Sequence, residues 1–376
     1  MNVVVAGVPF SPNLGDGLLA ELVAKLLGRH LDQVEITSLD LADRTELAAS
    51  DGQAGGSLGR ATALRLHRWG PTGLLDRAYY EAKTRRSEAV ITRWADALED
   101  ADMLVIGPGQ LFSSRTANFP TKLSMLVDAL ERCGNRPRVN LLGVGADSGG
   151  STQSRSILQR AIAGLNVHHA IVRDERSLKE YGRLGGDTSR ARIAPDLAVL
   201  TEQLLPQPNY VNQQASVYVD CVDLTSYDDA DGAEDVLNSY RSSVIDMIDV
   251  TGAEVVAFGS NGLIEDQLFA ERIERFCAEL PGVRTEVLPA PMSATDIAVR
   301  AGEYGGTVGV RLHAVLPALA LGRPAATPVL TAKAAGVISS AYGSDAVERP
   351  VLHAPESRRR EAIDSLEEAA QWLFAA

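Results

Sequence analysis

The apolar run Val308-Gly309-Val310 ends in Arg311-Leu312-His313, and a second apolar stretch, Ala314 to Leu321, begins at once. Arginine offers a permanently charged planar fork for a carboxylate or phosphate, and histidine can move a proton near neutral pH. If the first run is a buried strand and the second a helix, both side chains reach the carboxyl edge of a sheet at a helix N-terminus. Open α/β sheets bind ligands there, and the free backbone N–H groups favour anions. Pro317 falls early enough for the first helical turn, where a missing N–H costs little. The same spacing also fits a surface arginine followed by a helix-capping histidine, so two residues alone do not decide.

Other strand ends carry polar or glycine-rich turns. Asn13-Leu14-Gly15-Asp16 follows the first apolar run: Gly15 suits the turn, Asp16 can cap a helix, and Asn13 and Asp16 can meet sugar hydroxyls. Gly107-Pro108-Gly109-Gln110 and Gly143-Val144-Gly145-Ala146 permit close approach of backbone to a ligand, or simply turn the chain. Arg173 ends another apolar run, with Asp174 and Ser177 able to cap the next helix, and a solvated Arg–Asp pair fits equally. Asp196, fixed by Pro195, can bind ligand, orient Arg173 or cap a helix. Ser260 lies in the polar turn Gly259–Gly262, with Glu265 and Asp266 beyond it. Lys333 opens a later helix as a point charge or as a solvated side chain. Dinucleotide, Walker, Gly-x-Ser-x-Gly and Asp-x-Asp signatures are absent, and no spacing suits a metal.

These turns need elements that hold them at one edge. Short strand-type runs alternate with helical patterns: strands near Asn2–Val8, Gln33–Ser38, Met103–Ile106, Arg138–Gly143, His169–Arg173 and Ala191–Ala194, then Ser216–Asp220, Glu254–Phe258, Arg284–Leu288, Thr307–Val310 and Ala325–Val329. Alternation of this kind predicts parallel βαβ units. The pattern breaks around Pro206 and Pro208, and Asp51–Gly73 reads as a Gly-rich excursion at the ligand edge. The fold class is therefore α/β, two Rossmann-like domains facing across a cleft. The expected division is 1–205, 206–356, and a C-terminal helix in 357–376 with the first domain as its candidate partner.

The formal charge of −13 argues against a nucleic-acid reader. Cys133, Cys221 and Cys277 are scattered and form no disulfide or zinc pattern. The adjacent His168 and His169 would point to opposite faces of a strand, a poor arrangement for shared chelation. No run reaches the ~20 apolar residues of a membrane helix, and the N-terminus lacks a basic leader, so a cytoplasmic protein is expected. Arg358-Arg359-Arg360 reads as the solvated start of the last helix, with peripheral membrane contact as the alternative.

Taken in order, Asn-x-Gly-Asp, Gly-x-Gly, Arg-Asp-x-x-Ser, Pro-Asp, Arg-x-His and a downstream Pro…Lys resemble the polysaccharide pyruvyl transferase family, from about Val3 to about Gly336. The resemblance implies a GT-B-like pair of Rossmann-like domains, the first on the acceptor side and the second on the donor side. It implies transfer of the enolpyruvyl carbons of phosphoenolpyruvate onto two sugar hydroxyls, giving a cyclic ketal and phosphate, with no cofactor. The donor-binding positions map onto Arg173, Arg311 and Leu312, with Lys333 assisting, and His313 becomes the acid. Asn13, Gly15, Asp16, Gly107, Gly109, Gln110, Asp196 and Ser260 are then candidates for acceptor or cleft positions. Pro108 and Gln110 interrupt what is usually a run of glycines in that family, which bears on the acceptor. The acceptor sugar, lipid- or nucleotide-linked, and the oligomeric state are not legible. Two other readings fit the sequence: a nucleotide-sugar glycosyltransferase of GT-B type, and a non-catalytic carbohydrate-binding protein.

Overall fold

A computed structural model describes residues 1–46, 72–85, 87–205, 213–222 and 233–375. The breaks at Pro206 and Pro208 and most of the Asp51–Gly73 excursion lie outside these residues. The chain forms two compact units: Met1–Phe10, Val23–Ala194 and Ser365–Ala376 make one, and Ser11–Leu22 with Pro195–Asp364 make the other. The division thus falls at Ala194/Pro195 rather than near Pro206, and each unit borrows a segment from the far end of the chain. The borrowed pieces are parts of continuous helices, which a strictly sequential reading assigns to one side.

In the first unit, β1 (Asn2–Gly7), β2 (Glu35–Asp40), β3 (Met103–Ile106), β5 (Arg138–Asp147), β6 (His169–Val172) and β7 (Ala191–Ile193) form a sheet in the order β2-β1-β3-β5-β6-β7. A further strand, β4 (Gly109–Ser113), pairs beside β5, and all pairs are parallel. β3 reads MLVI and is buried throughout, as expected of a parallel strand covered on both faces. Among the covering helices are α1 (Leu14–His30, of which residues from Val23 onward belong here), α2 (Thr72–Arg85), α3 (Glu88–Leu98), α4 (Asn118–Arg132), α5 (Thr152–Leu165) and α6 (Glu175–Arg183). Ser151 and Asp174 cap α5 and α6 by accepting the N–H groups of Ser154 and Ser177.

The second unit contains β8 (Gln213–Asp220), β9 (Val255–Gly259), β10 (Arg284–Val287), β11 (Tyr304–Gly309), β12 (Ala325–Ala326) and β13 (Val351–Leu352), ordered β10-β9-β8-β11-β12-β13. All pairs are parallel except β12–β13. Counted from β8, the first five strands follow the 3-2-1-4-5 order of a doubly wound sheet, and its switch point lies between β8 and β11. α7 (Ala233–Thr251), α8 (Ile264–Cys277), α9 (Ala294–Glu303), α10 (Leu312–Ala320) and α11 (Ala332–Tyr342) accompany these strands. Ser293 and Asp296 form a capping box at α9. The core of this unit gathers Val217, Val219, Tyr240, Val244, Phe258, Phe269, Ile273 and Val308.

The last helix, α12 (Glu356–Phe374), contributes to both units. Arg359 of its first half donates to the Ala320 carbonyl. In its second half Glu367 pairs with Arg29 at 2.5 Å and His30 at 2.6 Å, and the Leu373 carbonyl accepts from the buried Asn140 amide. No helix among the described residues is long and apolar enough to cross a membrane.

Candidate functional site

Strands β8 and β11 pair so that Asp220 lies opposite Gly309 at their carboxyl ends. Two residues beyond Gly309, Arg311 takes the N-cap position of α10 with extended backbone but makes no side-chain cap bond. Its guanidinium turns to α8 instead, where Nη2 meets Asp266 Oδ2 at 2.5 Å. Nη1 is buried and has no hydrogen-bond partner. Asp220 contributes a second carboxylate: Oδ1 accepts from Tyr218, while Oδ2 is buried and unpartnered.

Burial is the largest influence on the Asp220 carboxyl and pushes it up to about 7, helped by Asp266 and opposed by Arg311 and Arg300. Burial works against the Arg311 charge, but Asp220 and Asp266 outweigh it and hold the guanidinium firmly protonated. An unfolded aspartate titrates near ~4, so the native chain holds a proton here that the unfolded chain releases between roughly pH 4 and 7. The stability contributed by this group is complete below that window and is lost as pH rises through it. Asp220→Asn is therefore expected to gain stability relative to wild type as pH rises, by at most about 1.4 kcal/mol per pH unit. Urea unfolding of both proteins across the window measures it; a pH-independent difference would mean that Asp220 is already ionised at its acidic end.

His313 is the second residue of α10, so it does not cap the helix. Its Nε2 is buried, lies 3.8 Å from Asp196 Oδ2 and makes no hydrogen bond. Asp196 itself is 1% exposed and caps the 3-10 turn Leu197–Leu204, accepting from the Ala198 N–H through Oδ1. One carboxylate thus fixes a chain reversal with one oxygen and faces the imidazole with the other. Pro317 lies in the second turn of α10 rather than the first, because the helix begins at Leu312. The His313 carbonyl consequently lacks the helical N–H that residue 317 would supply.

Asn13 and Gly15 approach the same imidazole from the start of α1. Asn13 precedes the helix, so Asp16 is a first-turn acid, not the cap expected from sequence; Asn13 Nδ2 reaches Asp16 at 3.4 Å. Asn261 Nδ2 donates to Asn13 Oδ1 at 2.9 Å, and the Asn261 carbonyl accepts the Leu14 N–H at 3.1 Å. A Cβ on Gly15 would lie 2.8 Å from His313 Cβ and 3.1 Å from Nδ1. Since Cβ cannot swing aside as a side-chain tip can, Gly15→Ala should displace the start of α10. We expect a stability loss of about 1–3 kcal/mol, as for overpacking, with turnover falling at least about tenfold, as for a misplaced reacting group. Thermal unfolding and turnover measured together check this; wild-type values for both would show that the imidazole has room to move.

The structure separates the remaining candidates. Ser260 is completely buried, and its hydroxyl donates to Gln267 and receives the Gly262 N–H, so Asn261 rather than Ser260 is the polar contact of this turn. Lys333 is exposed in the first turn of α11, which Thr331 caps. In the first unit, Gly107 and Gly109 take positive φ values of 130° and 103°, which their lack of a side chain allows. Arg173 is 1% exposed; its Nη2 donates to Gln110 Oε1 at 2.5 Å and its Nε lies 3.8 Å from Asp174. A Cβ on Gly145 would strike that guanidinium at 2.8 Å, so this glycine makes room for Arg173. Asn261, Asp266 and Asp220 complete the second unit's cluster but stand outside the candidates drawn from sequence.

Comparison with known proteins agrees with this plan. A structure from Listeria monocytogenes assigned as a UDP-N-acetylglucosamine 2-epimerase is 10% identical and superposes with a TM-score of 0.54, covering 100% of this chain and 91% of that one. The UDP-GlcNAc 2-epimerase of Methanocaldococcus jannaschii is 8% identical with the same score, covering 100% and 99%. At such identities the likeness establishes the GT-B-type fold alone. No curated protein matches the chain in sequence. The model of the family described as polysaccharide pyruvyl transferase, however, matches residues 13–327. That span opens on Asn13 and runs past Arg311 and His313, so it takes in each segment that meets at the switch point of the second sheet: the chain belongs to the polysaccharide pyruvyl transferase family.

Proposed function

We propose that this protein transfers the enolpyruvyl carbons of phosphoenolpyruvate onto two hydroxyls of a sugar, forming a pyruvate ketal and releasing phosphate. The observation that carries the reading is the pair Arg311–His313 at the β8/β11 switch point, with Arg311 Nη1 and His313 Nε2 both buried and lacking hydrogen-bond partners. A guanidinium already anchored to Asp266 can direct its second nitrogen to a donor oxyanion without losing its orientation. The family resemblance adds Leu312 to the donor contacts of the second unit, with Lys333 as a further charge, and makes Arg173 the donor-binding candidate of the first. Asn13 and Asp16 are the proposed sugar contacts of the second unit; Gly107, Gly109 and Gln110 are those of the first.

Chemically, a protonated His313 gives its proton to the methylene carbon of the donor, and positive charge develops on the adjacent carbon. A sugar hydroxyl attacks that carbon, forming the first C–O bond and returning a proton to the imidazole. The C–O bond to phosphate breaks, and the second hydroxyl forms the other ketal bond while its proton leaves with phosphate. Atoms and charges balance without a further reactant. Asp196 acts as a positioning residue, its Oδ2 offsetting the positive charge of the protonated ring from 3.8 Å.

Incubation with phosphoenolpyruvate and sugar acceptors should release phosphate and give an acceptor heavier by one pyruvate ketal, read by mass spectrometry. A product carrying an added sugar, formed only with nucleotide sugars, would replace this reading with glycosyl transfer. Donor binding without any product from either would point to a carbohydrate-binding protein.

A further inference from the structure

Far from the carboxyl edges, the amino ends of three neighbouring strands of the first unit each deliver a base. Arg138 is the first residue of β5, His168 immediately precedes β6, and Arg190 immediately precedes β7. The strands are adjacent and parallel, with Asn140 opposite His169 and Ala170 opposite Ala191, so the three bases share one rim. Together with Arg136 and Asn166 they line a cavity of about 240 Å³. Arg138 Nε and His168 Nδ1 are buried there without hydrogen-bond partners.

We propose that this cavity is a second oxyanion site, taking a phosphate monoester or inorganic phosphate. Three guanidiniums surround a space that holds unused buried donors. Such a fork-shaped set suits a doubly charged tetrahedral anion. The acid paired with Arg190 is Asp187, at 3.6 Å, and both are more than half exposed, so water screens their attraction. The carboxyl end of α5 also points here, with Asn166 in the left-handed conformation as its C-cap. Its partial charge of roughly −0.5 is outweighed by three whole positive charges. Burial, then Arg138 and Arg190, hold His168 below the usual histidine range.

The histidine side of the rim is held by stacked rings. His168 lies against His169, with ring centroids 4.3 Å apart, and His169 stacks on Trp372 at 4.2 Å. The Arg192 guanidinium also lies over the indole, 4.4 Å from its centroid. Asn140 accepts the His169 N–H at 3.2 Å, so backbone and ring are both fixed before a ligand arrives.

The test follows His168 itself. In protein carrying ¹³C-labelled histidine, with His168 assigned through His168→Gln, inorganic phosphate is titrated at constant ionic strength against chloride. The His168 resonance should move saturably. Arg138→Gln and Arg190→Gln should each weaken the response by about tenfold or more, the worth of one charged hydrogen bond. Because Arg190 is exposed, its loss does not threaten folding, and the remaining histidine signals report the fold in each variant. Glycerol 3-phosphate and phosphatidic acid vesicles, run in parallel, tell a free monoester from a lipid headgroup; saturation by either supports the site. A drift identical to that with chloride, or variants that titrate like wild type, would overturn it. The readout is local and makes no use of turnover, so it stands apart from the reaction proposed above.

Discussion

Replacing His313 with glutamine is expected to lower turnover by ~10²–10⁴ while donor affinity stays within about tenfold, the pattern of a lost acid–base group. Glutamine matches the histidine in reach and keeps a hydrogen-bond donor but carries no proton that it can give up near neutral pH. The segments around the ring favour a clean experiment. Gly15 borders it on the Nδ1 side and Asp196 on the Nε2 side, and neither is held in place by His313: Asp196 is fixed by the Ala198 N–H, and the Asn13 turn by Asn261. Calorimetric donor binding beside single-turnover kinetics gives the decision. Turnover close to wild type would assign the proton to another group and leave His313 as an anion ligand.

Arg311→Lys should weaken donor binding by about 1.5–3 kcal/mol, roughly 10- to 150-fold, although the charge is kept. The arginine uses one nitrogen on Asp266 and leaves Nη1 buried and unpartnered. A lysine ammonium on its flexible stem cannot reproduce both directions, and Asp220 and Asp266 together will draw it away from the ligand. Lysine is the informative choice because alanine would strand two buried carboxylates, at a cost of about 3–5 kcal/mol for the broken pair. Donor titration and urea unfolding of the same variant separate the two effects. Unchanged saturation by phosphoenolpyruvate would remove Arg311 from the donor site.

Much of the architecture was readable from the chain. Alternating apolar runs placed Met103–Ile106 at its observed bounds, and a strand handing over to a helix placed Arg311 and His313 at a sheet edge. Other features escaped. Asp220 reads as an ordinary polar strand end until the register puts it opposite Gly309, and register between strands far apart in sequence has no local signal. Ser260 and Asn261 are both polar turn residues; Gly262, at φ 103°, bends the chain so that serine faces Gln267 and asparagine faces Asn13. The strand Gly109–Ser113 was hidden because Gly107 and Gly109 read as a turn, and Pro317 misplaced the start of a helix whose packing tolerates it. Segment 11–22 joined the unit distant in sequence because helix periodicity does not say which core a helix serves.

The hydrogen bond between Asn13 and Asn261 spans 248 positions, and its consequence appears during synthesis. At ~5–20 residues per second, the ribosome needs on the order of 10–50 s to deliver the partner of Asn13 after Asn13 itself has emerged. Through that interval Asn13, Leu14 and Gly15 have neither Asn261 nor His313 to pack against. The polar turn that opens the chain is therefore among the last pieces to reach its final setting. A nascent chain interrupted before Arg311 can complete many local strands and helices and still lack both Arg311 and His313. Partial translation products that end after Asn261 but before Arg311 therefore hold Asn13 and Asn261 but not the imidazole that Gly15 packs against.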